Sequence, residues 1–165
     1  MGEIPYNIAM LTPYAEHVGD RDPVDVLRIS MADYRVVRAR ITPELWSRPL
    51  APGKWTLHQV MVHVMQWEMI FGIRVRCGLA VPDYVVQPLD QDPFMAEASA
   101  VDGPTAAATF DALRQTNLLL AASLTPEARR RPVRHPERGQ IDVNDLLVTL
   151  AGHGVHHLKQ LQSVV

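Results

Sequence analysis

The sequence predicts an all-α protein, a bundle of four long helices. Three observations carry that prediction. Four segments repeat apolar residues at steps of three and four, the period of an amphipathic helix. Stretches containing proline and glycine separate those segments. No segment alternates apolar and polar residues clearly enough to read as a strand. Helices that each carry one apolar stripe must bury those stripes against one another, and a bundle achieves this.

Residues 1–21 contain two prolines and no sustained period, so they read as an irregular arm tethered by Tyr6 and Tyr14. The first helix opens at Asp22-Pro23, a capping residue followed by proline at the first helical position. Val24, Leu27, Met31, Tyr34, Val37 and Ile41 form its stripe. Residues 42–54 read as loop with a short helical turn at Glu44-Leu45-Trp46. The second helix starts at Thr56, where Thr56 and Gln59 have the spacing of a capping box, and it runs through Val60, His63, Val64, Trp67 and Phe71 to a stop near Gly78.

Residues 79–103 form a long connection with a short helix near Pro93 to Ser99, and connections this long tend to serve function. The third helix begins around Pro104-Thr105 and ends at Thr125-Pro126. Residues 125–141 read as a helical turn followed by a loop or short hairpin around Glu137-Arg138-Gly139. The last helix, capped by Asp142, continues to about Val165, with Leu146, Leu150, His153, His157, Leu161 and Val164 along one stripe. Residues 1–165 read as one domain, because this length supports one core and falls short of two.

Composition narrows the function classes. A formal net charge of −2 gives no electrostatic reason to expect nucleic acid, and the Arg129-Arg130-Arg131 run with Arg134 reads as a solvated loop. One cysteine, Cys77, excludes an internal disulfide framework and fits a reducing cytoplasm. No window of 18 apolar residues predicts a membrane span, and the N-terminus lacks the marks of a signal peptide or a myristoylation site. A cytoplasmic location is the expectation.

The chemistry concentrates in the last helix. His153 and His157 are four residues apart, which puts both imidazoles on one helix face about 6 Å apart along the axis. They lie inside the apolar stripe, where neutral imidazoles are costly unless something binds their nitrogens. His156 is one step off that stripe. A further histidine, His63, sits on the core face of the second helix beside Trp67. From the residues alone, a divalent-metal site and a set of histidines without a ligand stand about equal.

Three motifs tilt that balance. Residues 52–64, from Pro52-Gly53-Lys54-Trp55 to His63-Val64, resemble a stretch of the DinB-like family of metalloproteins, as do the acidic Leu89-Asp90-Gln91-Asp92-Pro93-Phe94 and the closing Gly152-His153-Gly154-Val155-His156-His157-Leu158. The resemblance spans residues 52 to 158 in the family's order. It implies a four-helix bundle with up-down-down-up connectivity, often a homodimer, in which His63, His153 and His157 hold a divalent ion: zinc, nickel, manganese, iron or cobalt. One departure stands out, since Gly154 occupies a position where many members carry glutamate.

The resemblance further implies a metal-dependent enzyme acting on a small molecule, either a thiol S-transferase using a low-molecular-weight thiol or a hydrolase. The alternative is a non-catalytic metal-binding bundle serving as a stress-related binding or dimerisation module. Trp67 and Glu68 on the second helix, and Asp90 and Asp92 in the connection, are candidates for the pocket or for orienting the ligands. Each also has a plain structural reading: core for Trp67, a solvated or ion-paired helix residue for Glu68, a helix cap for the two aspartates. His17, His58 and His135 are expected at the surface without partners.

Overall fold

A computed structural model describes residues 12–96 and 98–165 of the chain. Tyr6 and the N-terminal targeting signals considered above lie outside those residues. Four long helices carry the structure, as the periodicity predicts. Helix α1 spans Pro23–Arg38, and the Asp22 carboxylate accepts from the Val24 N–H at its start. Helix α2 spans Leu57–Ala80 behind a completed capping box between Thr56 and Gln59. It passes Gly78 rather than stopping there. A Cβ at Gly78 would lie 2.9 Å from Val133 and 3.2 Å from Val143, so this glycine marks a close approach between elements instead of a helix end.

A short helix α3 (Gln91–Ala96) lies in the long connection, and α4 (Gly103–Ser123) starts from an Asp102 cap. The one-turn helix α5 (Pro126–Arg129) leads into a hairpin of β1 (Pro132–His135) and β2 (Gly139–Asp142), paired antiparallel with Val133 opposite Ile141. Four residues per strand are too few to show an alternating pattern, which is why no strand was legible. Val133 and Ile141 are nonetheless buried and extend the core. Helix α6 (Val143–Gln162) follows directly, capped reciprocally by Asp142 and Asp145.

Contacts between helices set their directions. Arg38 at the end of α1 reaches Ala107 and Asp111 near the start of α4, while Leu27 and Ser30 meet Arg114 further along, so these two run antiparallel. His58 meets Val101 just ahead of α4, and Glu68 meets Arg114 and Asn117, so α2 and α4 run parallel. Gly78 lies against Val143 and Leu146 while His63 lies against His153, making α2 and α6 antiparallel. The connectivity is therefore up-down-down-up.

Two apolar clusters fill the bundle, one containing Leu27, Phe71, Leu146 and Leu150, the other Tyr34, Val60, Phe110 and Leu161. Between them runs a buried polar layer of Ser30, Glu68, Arg114 and Asn117. Arg114 places its Nε 2.6 Å and its Nη2 2.5 Å from Glu68 Oε1, and donates through Nη1 to Ser30 Oγ at 2.9 Å. Asn117 donates to the other Glu68 oxygen at 3.0 Å. Every charge in this layer has a partner, the condition under which buried charges are tolerated.

Candidate metal centre

His63 projects from α2, and His153 and His157 from α6, into one buried space. Their ring centroids lie 5.0 Å (63 to 153), 4.7 Å (63 to 157) and 4.4 Å (153 to 157) apart. One nitrogen of each lies within 4.8 Å of the other two. His63 Nε2 and His153 Nε2 are 3.0 Å apart. Two imidazole nitrogens on a tetrahedral zinc with bonds near 2.05 Å would stand about 3.3 Å apart, so the observed pair needs only a small opening. Two buried ring nitrogens that face each other this closely require a proton or a cation between them. The donor set therefore fits a divalent ion that accepts neutral imidazole, and it does not suit magnesium or calcium, which prefer oxygen.

Neighbouring side chains set the rings. The His157 Nδ1–H donates to Gln160 Oε1 at 2.8 Å, which turns Nε2 inward as the lone-pair nitrogen. The Trp67 indole N–H donates to His63 Nδ1 at 3.1 Å, so the ring proton of a neutral His63 sits on Nε2, facing His153. Trp55 packs 4.9 Å from the His63 ring, and Tyr14 meets His153 edge-on at 5.4 Å. The Tyr14 carbonyl lies where a Cβ on Gly152 would sit, so only glycine lets the arm seat so closely on α6.

Burial dominates the electrostatics. It pushes His63 down to about 3, with help from His157 and His156, and His157 down to about 4 against an opposing hydrogen bond from Gln160. His153 lies well below the ordinary imidazole value, by burial first and then by its positive neighbours. All three are neutral at pH 7, the form that ligates. Because these folded-state values fall below the unfolded value near 6.5, the unfolded chain binds more protons in between. The histidines' contribution is thus fully present above about pH 6.5 and is lost as pH falls toward about 4 and then 3. Metal-free protein should lose on the order of 1 kcal/mol of stability per pH unit for each histidine across that window. Urea midpoints recorded from pH 7 to pH 5 check this, and a flat profile would contradict it.

The remaining candidates fall in different places. Trp67 touches the site directly, through His63. Glu68 is buried, but its carboxylate pairs with Arg114 and Asn117 rather than with a histidine. Asp90 and Asp92 are exposed; Asp90 accepts from the Asp92 N–H, the helix-cap arrangement, and neither lines the cavity described below. Gly154 leaves room for Arg114, whose Nη2 would be 2.6 Å from a Cβ there, so a larger residue and this guanidinium compete for one volume.

Three surface expectations are corrected. His58 hydrogen-bonds the Val101 carbonyl at 2.6 Å. His17 faces His156 at 3.3 Å, and Gln160 reaches both His156 and His157, joining the two histidine pairs. His135 lines a cavity of about 190 Å³ that also borders His153, Trp67 and Tyr14. Long-range pairings of this kind leave no trace in local spacing. Gln160 did leave one, three residues beyond His157 on the same helix face.

Known proteins align with this arrangement. A family model described as the DinB superfamily matches residues 27–161. A protein of Oceanobacillus iheyensis, provisionally named a metal-dependent hydrolase, is 29% identical over 114 residues, covering 68% of this chain and 66% of that protein. The chain thus spans about two thirds of the length of this curated relative. Among solved structures, YfiT from Bacillus subtilis, provisionally described as a metal-dependent hydrolase with an unusual four-helix bundle topology, superimposes with a TM-score of 0.77 at 21% identity, covering 86% of this chain and 83% of YfiT. A mycothiol-dependent maleylpyruvate isomerase superimposes with a TM-score of 0.68 at 14% identity, covering 90% of this chain and 60% of that one. At such identities these likenesses establish the fold.

Proposed function

Since the chain belongs to the DinB superfamily, we propose that it holds a divalent ion with His63, His153 and His157 and acts on a small molecule as a metal-dependent thiol S-transferase. The observation that carries this reading is the convergence of three buried, neutral imidazoles beside a cavity. A divalent ion with three protein ligands supplies an open position at which a thiol or a water is ionised. His153 presents that position to the cavity, Gln160 holds the His157 ring in register, and Trp67, Trp55 and Tyr14 keep bulk water off the imidazoles.

Thiol transfer is favoured over hydrolysis by the cavity wall, which among the described residues carries no carboxylate to serve as general base. A free thiol, with a pKa near 8.5, needs far less help to ionise than water near 15.7. The mycothiol-dependent fold neighbour and the hydrolase names of relatives support the two variants respectively. Zinc, nickel, manganese, iron and cobalt all suit imidazole, so elemental analysis of the purified protein identifies the ion. Cobalt-substituted protein is expected to develop a thiolate-to-cobalt charge-transfer band on addition of mycothiol, bacillithiol or glutathione. Absence of the band with every thiol would shift the reading to the hydrolase.

A second reading, a non-catalytic bundle in which the ion is structural, draws on the engagement of Glu68 with Arg114, which leaves no carboxylate free beside the histidines. Chelation separates the two. An unchanged melting transition in the chelated protein supports the enzyme, whereas unfolding on chelation supports the structural role.

A further inference from the structure

Arg74 is buried, only 8% exposed, on the wall of the cavity beside His153. Its guanidinium lies over the Trp67 and Phe71 rings, 5.6 Å and 5.2 Å from their centroids, and donates through Nη2 to the Gln87 carbonyl at 2.7 Å. Buried or half-buried arginines elsewhere meet a carboxylate: Arg114 meets Glu68 and Arg38 meets Asp111. Among the described residues no carboxylate pairs with Arg74. A second guanidinium, Arg138, lines the same cavity with its side chain 10% exposed. Its Nη2 donates to Thr12 and stands 3.9 Å from Asp145, while its buried Nε has no hydrogen-bond partner. His135 adds a third nitrogen base, and no acidic residue lines the space.

A buried cation without a counter-charge is costly, and a guanidinium stacked on aromatic rings still presents the in-plane N–H donors that match a carboxylate. We infer that this cavity is a carboxylate-binding subsite, which takes a small organic acid with its charged end against Arg74 and Arg138 and its other end toward His153. The space, about 190 Å³, is smaller than the roughly 300–1,000 Å³ of drug-sized ligand sites, which restricts the acid to metabolite size. Phe71, Leu146 and Pro13 provide apolar walls for its carbon skeleton. As the substrate end of the reaction, this subsite rests on the metal reading above; as an anion site it stands on its own residues.

Titration calorimetry on the full chain, metal-free and zinc-loaded, with succinate, its uncharged diamide and inorganic phosphate tests the inference. Succinate is expected to bind both forms, with the diamide at least tenfold weaker. Arg74→Met and Arg138→Met should each lower succinate affinity at least tenfold, and if the first fails to fold the second decides. His157→Ala, which removes a metal ligand but no cavity wall, should retain succinate binding. Equal binding of diamide and succinate, tighter binding of phosphate than succinate, or wild-type affinity in the arginine variants would overturn the subsite. Metal uptake without succinate binding overturns the subsite alone; succinate binding without metal uptake upholds it and overturns only the metal reading.

Discussion

His153→Ala and His157→Ala are expected to purify without metal, while His156→Ala and His58→Ala keep the wild-type content. Structural zinc sites bind with about 10–16 kcal/mol shared among four ligands, so one imidazole accounts for roughly 3 kcal/mol, or about a hundredfold or more in affinity. The two controls differ for a geometric reason. His156 stands off the cluster, engaged with His17 and Gln160, and His58 is tied to the Val101 carbonyl. Gln160→Ala should fall between, with a loss of about 10- to 100-fold, because it orients His157 without ligating. Elemental analysis of the variants measures this directly, and Trp67 offers a second signal. Ligation through His63 Nε2 moves the ring proton to Nδ1 and breaks the indole hydrogen bond, so its fluorescence should change on metal addition. Equal metal content in all the histidine variants would defeat the assignment.

Arg114→Met is expected to cost about 3–5 kcal/mol of folding stability, because it strands the Glu68 carboxylate, 1% exposed, among apolar side chains. Replacing both partners, as in Glu68→Met with Arg114→Met, should recover most of that loss, since an apolar pair leaves no buried charge unpaired. Urea unfolding of the two single variants and the double variant gives the coupling. A loss below about 1 kcal/mol in Arg114→Met would mean that water reaches Glu68. The same network touches the metal centre's helix: Arg114 fills the space beside Gly154, and Tyr34 donates to the Gly154 carbonyl at 2.8 Å, one residue beyond His153. The single variant should therefore also weaken metal binding, which the double variant restores only in part.

Much of this protein was legible from local sequence. The starts of α1, α2 and α6 were readable because capping is decided within three or four residues, as at Asp22, Thr56 and Asp142. The helical period put His63, His153 and His157 on core-facing stripes, and the four-residue interval alone put two of them on one face. The family motifs lie in segments whose backbone conformation is likewise local. Gly78 was misread because glycine at a helix end and glycine at a helix crossing look alike in one dimension.

Only the tertiary structure decided what meets what. His63 and His153 are separated by 90 residues and approach to 3.0 Å because α2 and α6 pack antiparallel in one register. Glu68 finds Arg114 across 46 residues, His17 finds His156 across 139, and Arg74 shares a cavity with Arg138 only after the hairpin folds back toward α2. Hydrogen bonds and charge pairing act over a few ångströms, so they depend on helix register and crossing, which many different local patterns could accommodate. The sequence by itself determined the helices and which faces they bury; packing alone determined which buried charges were answered, and by what.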